Sequence, residues 1–252
     1  METIEKKYRL LENDTKTVNG KTLYRIEALK DFAGVKKGDK GGYIESEKNL
    51  SQRGICWVSD NACVFRDAQV FGDAWVSGDA WVSGDACVSG DARVCGDAWV
   101  SGDACVSGDA RVCGGAWVFG KAQVFGGAQI YENAHVFGGA QIYENAWVSG
   151  KARVSENACV SGDACVSGNA WVFGNARIRG TADYYVGKNV WSSGRYFTYT
   201  RSNKMWKVGC FYGTGEGLIA KAYRDSEVSG REYERVVKYV EAMYADLEKD
   251  KE

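Results

Sequence analysis

From Val58 to Ile178 an aliphatic residue returns every six positions without a gap, and each is Val except Ile130, Ile142 and Ile178. Four residues after each stands Ala, from Ala62 to Ala182. Around every Val the pattern alternates: Ala inward, one residue outward, Val inward, one residue outward. That is the period of a strand. Gly usually follows, then Asp, Asn, Gly or Lys. Gly supplies a backbone conformation other residues avoid, and Asp or Asn suits a tight turn. Each hexad therefore predicts a short strand and a corner. Such a strand buries nothing alone and must stack on copies of itself.

A second period fixes the stacking. WVSGDACVSGDARVCGDA from Trp81 and WVSGDACVSGDARVCGGA from Trp99 differ at one position. If three hexads close one lap, residue n lies over residue n+18 at about one strand spacing, ~4.8 Å. The twenty-one hexads then form seven coils, a prism roughly 34 Å long. Val and Ala fill its interior. The expected fold is an all-β solenoid, a parallel β-helix of about seven 18-residue coils over residues 50–183, whose end coils need caps. Leu50 and Cys56 begin a first, imperfect coil.

The flanks supply the caps. Residues 1–49 read as a small β-rich unit with a hairpin at Asn19-Gly20. Residues 184–252 read as a hairpin plus helices. RYFTYTRSNKMWKVGCFY (195–212) alternates around SNK, and Ser229 with Glu232 has capping-box spacing. Tyr233, Val236, Val237, Val240, Met243, Tyr244 and Leu247 follow at helical spacing, for a helix that covers its own hairpin or a second chain.

The unbroken V-x-G-D-A-x phrase, covering about half of the chain, resembles the hexapeptide-repeat family of left-handed β-helices. The resemblance implies left-handed coiling, and many members of that family are trimeric acyltransferases. GGYIESEKNLS before the repeat and KVGCFYGT after it are similar to bacterial and phage-borne hexapeptide proteins of undefined role, often labelled putative transferases.

Composition agrees with an ordered fold. The chain of 252 residues has 32 Gly, no Pro, 45% hydrophobic residues and 13% aromatics; unordered low-complexity chains are more polar and richer in Pro. METIEKKYRLLEND lacks a signal-peptide pattern, and no apolar run is long enough for a membrane span. Nine Cys, an odd number, are read most simply as reduced thiols in a cytoplasmic protein. A net charge of −1 argues against nucleic-acid or anionic-membrane binding by bulk electrostatics. The charge is uneven, though: residues 58–112 hold nine acids and three bases.

Adding eighteen sorts the outward positions into columns. One reads Cys63, Trp81, Trp99, Trp117, His135, Arg153, Trp171, with Phe119 and Phe137 beside it. A second reads Gln69, Cys87, Cys105, Gln123, Gln141, Cys159. The third reads Trp75, Arg93, Arg111, Gln129, Trp147, Cys165. The Trp81–Trp99–Trp117 ladder stacks neighbouring coils and also leaves an apolar patch of several hundred Å² by rough area counting, which a partner chain or the C-terminal domain should cover. Corner columns of Asp67, Asp85 and Asp103, and of Asp73, Asp91 and Asp109, read as turn chemistry or as an acidic ridge imitating a nucleic-acid backbone. The Cys columns do not bring four thiolates together, so no metal site is expected. Cys95 and Cys113 stack, but strand geometry suits a disulfide poorly, so the Cys residues read as small fillers.

Two functions follow. The preferred one is a non-enzymatic interaction scaffold, prophage- or phage-encoded by resemblance, that binds and inhibits a host protein such as a defence factor through its acidic and aromatic faces. It needs no cofactor and self-associates as a dimer or trimer, without membrane or direct nucleic-acid contact. The alternative is an acyl-CoA-dependent acyltransferase with His135, the one histidine, as general base. A three-histidine zinc site is excluded by that same count.

Overall fold

The structure, a computed structural model, describes residues 5–249. Between Trp57 and Ile178 it contains twenty-one two-residue strands, one per hexad. Each pairs in parallel with the strand eighteen residues away: Trp99 with Trp81 and Trp117, Arg93 with Trp75 and Arg111, Cys105 with Cys87 and Gln123. Three parallel sheets form the three faces of a β-solenoid. Two backbone hydrogen bonds tie each strand to the next coil, as in Trp81 N to Ala98 O at 2.9 Å and Ser83 N to Val100 O at 3.0 Å. Val and Ala of the phrase line a dry interior. Ala182 is the exception: it lies exposed in the 3-10 turn Thr181–Asp183, where the chain leaves the last coil.

The solenoid has about eight turns rather than seven, because it starts before the hexads do. Strand β1 (Tyr8–Val18) pairs antiparallel with β2 (Lys21–Ala28), and β2 with β3 (Lys40–Ile44). Strand β3 then pairs in parallel with Cys63–Val64, and Leu50 bridges Val70. The N-terminal unit thus continues one face as part of a ten-stranded sheet. The hairpin turns at Asn19 and Gly20, both at positive φ, as an Asn-Gly turn requires. Tyr8, Ile26, Ile44, Leu50 and Trp57 close the core at this end. Lys7 is buried with them; its Nζ donates to Cys56 O at 2.8 Å and to Cys56 Sγ at 3.3 Å. Burial lowers its pKa and raises that of the Cys56 thiol.

At the other end, strands Tyr184–Lys188, Tyr196–Thr200, Met205–Val208 and Phe211–Gly213 form an antiparallel sheet. Helices α1 (Gly215–Asp225) and α2 (Glu227–Lys249) pack on it. The expected helix covers its own sheet: Tyr233, Val237, Val240 and Tyr244 are buried against Phe197, Tyr199, Trp206 and Val208. Its start lies earlier than the Ser229–Glu232 pair suggests, since Ser226 Oγ accepts from Ser229 N at 3.1 Å. This unit docks on the last coil. Lys207, only 7% exposed, places its ammonium 4.0 Å from the Trp171 ring and 4.6 Å from the Phe173 ring. Thr198 Oγ1 accepts from Trp171 N at 2.9 Å.

Candidate interaction surfaces

Period eighteen places the expected ladder on one face. Ring centroids are 5.8 Å apart for Trp81–Trp99 and 5.3 Å for Trp99–Trp117, both near edge-to-face, and 5.1 Å for Trp117–His135, which stack flat. Phe119 and Phe137 stack beside them at 5.0 Å. An unforeseen regularity holds the indoles. Each of Trp75, Trp99 and Trp171 reaches back to a Ser sixteen residues earlier: Trp75 Nε1 donates to Ser59 Oγ, Trp99 Nε1 to Ser83 Oγ and Trp171 Nε1 to Ser155 Oγ, at 3.2, 3.5 and 3.3 Å. Of the ladder itself, Trp99 therefore lies against the preceding coil with its N–H satisfied. The Ser that follows Val58, Val82 and Val154, one coil before a Trp, carried that signal.

Part of the patch is covered by the N-terminal hairpin. Val18 and Leu23 of the N-terminal hairpin pack over Cys63 and Phe65, with Trp81 at their edge. Trp99 is half-buried, and Trp117 is 43% exposed. A shallow groove of about 170 Å³ opens between Trp99, Ser101, Trp117 and Phe119. On the other faces, Trp147 is exposed against Tyr131, and Phe125 stacks on Tyr143 at 5.0 Å.

Asp67, Asp73, Asp85, Asp91, Asp103 and Asp109 are all exposed. Asp67 pairs with Lys48 at 2.7 Å, and that contact lowers its pKa. Asp73 Oδ1 accepts from Ile55 N at 3.3 Å. Asp85, Asp91, Asp103 and Asp109 make no side-chain hydrogen bond or ion pair among the described residues. The turn bonds come from the preceding slot instead, where Asp60 Oδ2 accepts from Gly78 N at 2.9 Å and Glu144 from Gly162 N. The ridge carboxylates face solvent.

His135 is half-buried between Trp117 and Arg153 in its column. Burial lowers its pKa, and Arg153 adds to the shift. No carboxylate or hydroxyl hydrogen-bonds to the ring among the described residues. Nor do three or more His, Cys, Asp or Glu residues there gather in a way that could hold a metal ion, and no helix there is long and apolar enough to cross a membrane.

The cysteines depart from expectation at one place. Cys95 and Cys113 form a disulfide across adjacent coils, with Cα atoms 4.6 Å apart. The close stacking of parallel strands, which had argued against the bond, brings the two residues within the usual Cα range. Cys56 and Cys63 are buried fillers; Cys87, Cys159 and Cys165 are half-buried; Cys105 and Cys210 are exposed.

Compared with known proteins, the chain matches no curated protein. Residues 68–84, within the first hexads, match the family model described as the YdcK beta solenoid repeat. That stretch and the stacked coils together make the chain a β-helix repeat protein.

Proposed function

We propose that this protein is a non-enzymatic interaction scaffold of the hexapeptide-repeat type, which grips a basic partner protein through a rigid aromatic face and the acidic corners beside it. The observation that carries this reading is the exposure of Trp117. An indole 43% open to water, at the edge of a preformed apolar groove and held by its neighbours, is the kind of rigid anchor that dominates protein interfaces. Asp85 and Asp103, without a hydrogen-bond or ion-pair partner among the described residues, supply a field that steers a basic surface toward it. In a bacterial or phage setting the partner is a host protein such as a defence factor.

This reading is preferred to acyl transfer. The lowered pKa of His135 favours the neutral imidazole, which suits a base, but among the described residues none hydrogen-bonds to the ring to orient it. Acyl-CoA binding that disappears in His135→Ala would favour the transferase.

The test compares wild type with Trp99→Ala and Trp117→Ala in affinity capture from host lysate at low and high salt, beside sedimentation and thermal melting. Loss of one partner and of self-association, with a smaller change in melting and weaker capture at high salt, is the expected result. Variants that melt early yet capture and associate as wild type would reject the proposal.

A further inference from the structure

The Cys95–Cys113 bond lies in surroundings of its own. Arg93 and Arg111 stand two positions before the two cysteines, in paired strands that end just before them, so by strand alternation all four side chains belong to one outward face. Arg93 lies directly opposite Arg111. Like charges in that position repel, yet neither guanidinium makes a hydrogen bond or ion pair among the described residues. Beside them runs a groove of about 510 Å³, lined among others by Ile55, Asp73, Trp75, Asp91, Arg93 and Cys95. It offers a cationic group, two carboxylates and an indole, and Cys95, one partner of the disulfide, is part of its lining.

We propose that Cys95–Cys113 is a thiol-exchange site that takes a small zwitterionic peptide thiol from this groove. Arg93 receives the carboxylate of the ligand, Asp73 and Asp91 its ammonium, and Trp75 with Ile55 its methylene groups. The incoming thiol loses its proton to water, and its thiolate attacks Cys95 Sγ along the disulfide axis. A new sulfur–sulfur bond forms at Cys95 as the Cys95–Cys113 bond breaks. The electron pair leaves on Cys113 as a thiolate, which Arg111 stabilises until it takes a proton. A second thiol molecule attacks the mixed disulfide, releasing the ligand's own disulfide and leaving Cys95 and Cys113 as thiols. Two electrons pass from two ligand thiols to the protein, and the reverse sequence restores the bond.

The molecule contains its own comparison. Cys87 and Cys105 are also paired in register on adjacent coils, on a face where no Arg stands within their two strands, and they are not bonded. Burial, and then Cys105, raise the pKa of Cys87.

The test exposes the protein, purified without reductant, to reduced glutathione or to neutral 2-mercaptoethanol at equal thiolate concentration. Samples are acid-quenched and alkylated, and adducts are mapped by peptide mass. The expected adduct is on Cys95, and glutathione should react about fivefold faster than the neutral thiol, the most that one exposed charge pair supplies. Arg93→Gln, checked for an unchanged circular dichroism spectrum, should abolish that preference and leave the mercaptoethanol rate in place. Adducts first on Cys113 or Cys105, equal rates for the two thiols in wild type, an unaltered preference in Arg93→Gln, or free thiols at Cys95 and Cys113 in the starting protein would each overturn the proposal.

Discussion

Gly102 shows what a single position must satisfy in this fold. Its φ is +68°, and a Cβ there would lie 3.0 Å from Gly120 N and 3.1 Å from Gly120 O in the next coil. Yet Arg66, Glu132, Glu144 and Glu156 occupy the same slot with φ of 59–62°. Each of them is followed one coil later by Gly: 84, 150, 162 and 174. The slot therefore accepts a side chain when the next coil has none, and a carboxylate can repay the strain by capping the next N–H, as Glu144 does for Gly162. Gly102→Val should lower stability in chemical denaturation by about 2 kcal/mol or more, since the left-handed conformation costs about 1–2 kcal/mol for an ordinary L-residue and β-branching adds to that. Gly102→Glu, with Gly before and after it in the stack, should cost clearly less. Equal losses would show that crowding, rather than backbone conformation offset by a cap, governs the corner.

At the scale of elements, the ends are held by chemistry the repeat does not contain. The C-terminal sheet grips the last coil through Lys207 above Trp171 and Phe173. A desolvated cation over two rings is worth about 2 kcal/mol. Lys207→Ala should expose the junction near residues 181–184 to limited proteolysis while leaving the coils resistant, whereas Lys207→Arg should retain much of the protection. Within this unit α2 buries Tyr244, whose pKa rises to about 12, chiefly through burial. In the unfolded chain the phenol ionises near 10.0. Between those values the folded state holds a proton that the unfolded state has lost, so stability is full below pH 10 and falls as pH rises toward 12. Tyr244→Phe should flatten that alkaline decline in melting temperature. Lys7 and Lys207, with lowered pKa values, act in the opposite sense as pH rises toward 10.5. The existence of this helix and its apolar face were legible in its 3.6-residue spacing. Its start was not, because Ser226 and Ser229 both offer capping hydroxyls and only the turn after α1 selects the first.

The whole molecule behaves as a stack of laps, each touching chiefly its neighbours. Removing residues 135–152, one complete lap, should leave a folded protein shortened by about one strand spacing, ~4.8 Å, with a modest fall in melting temperature. Removing only residues 135–137 should unfold it or expose its core, because every later Val would then meet a corner instead of the interior. Solution scattering and circular dichroism separate these results. If both deletions fold alike, period eighteen does not organise the molecule.

By itself the sequence determined what repetition can determine: Val and Ala inward, the corner every six residues, the lap of eighteen, and so the vertical ladders of Trp81, Trp99 and Trp117 and of the ridge carboxylates. Those follow from strand alternation and spacing, which are local and recur at every step. Only the tertiary structure decided the rest. It joined β3 to the solenoid sheet, drew Val18 and Leu23 over Cys63 and Phe65, and set Lys207 on the last coil. Each of these depends on where non-repeating segments come to lie against the repeat, and no periodicity records a contact between residues that occur once.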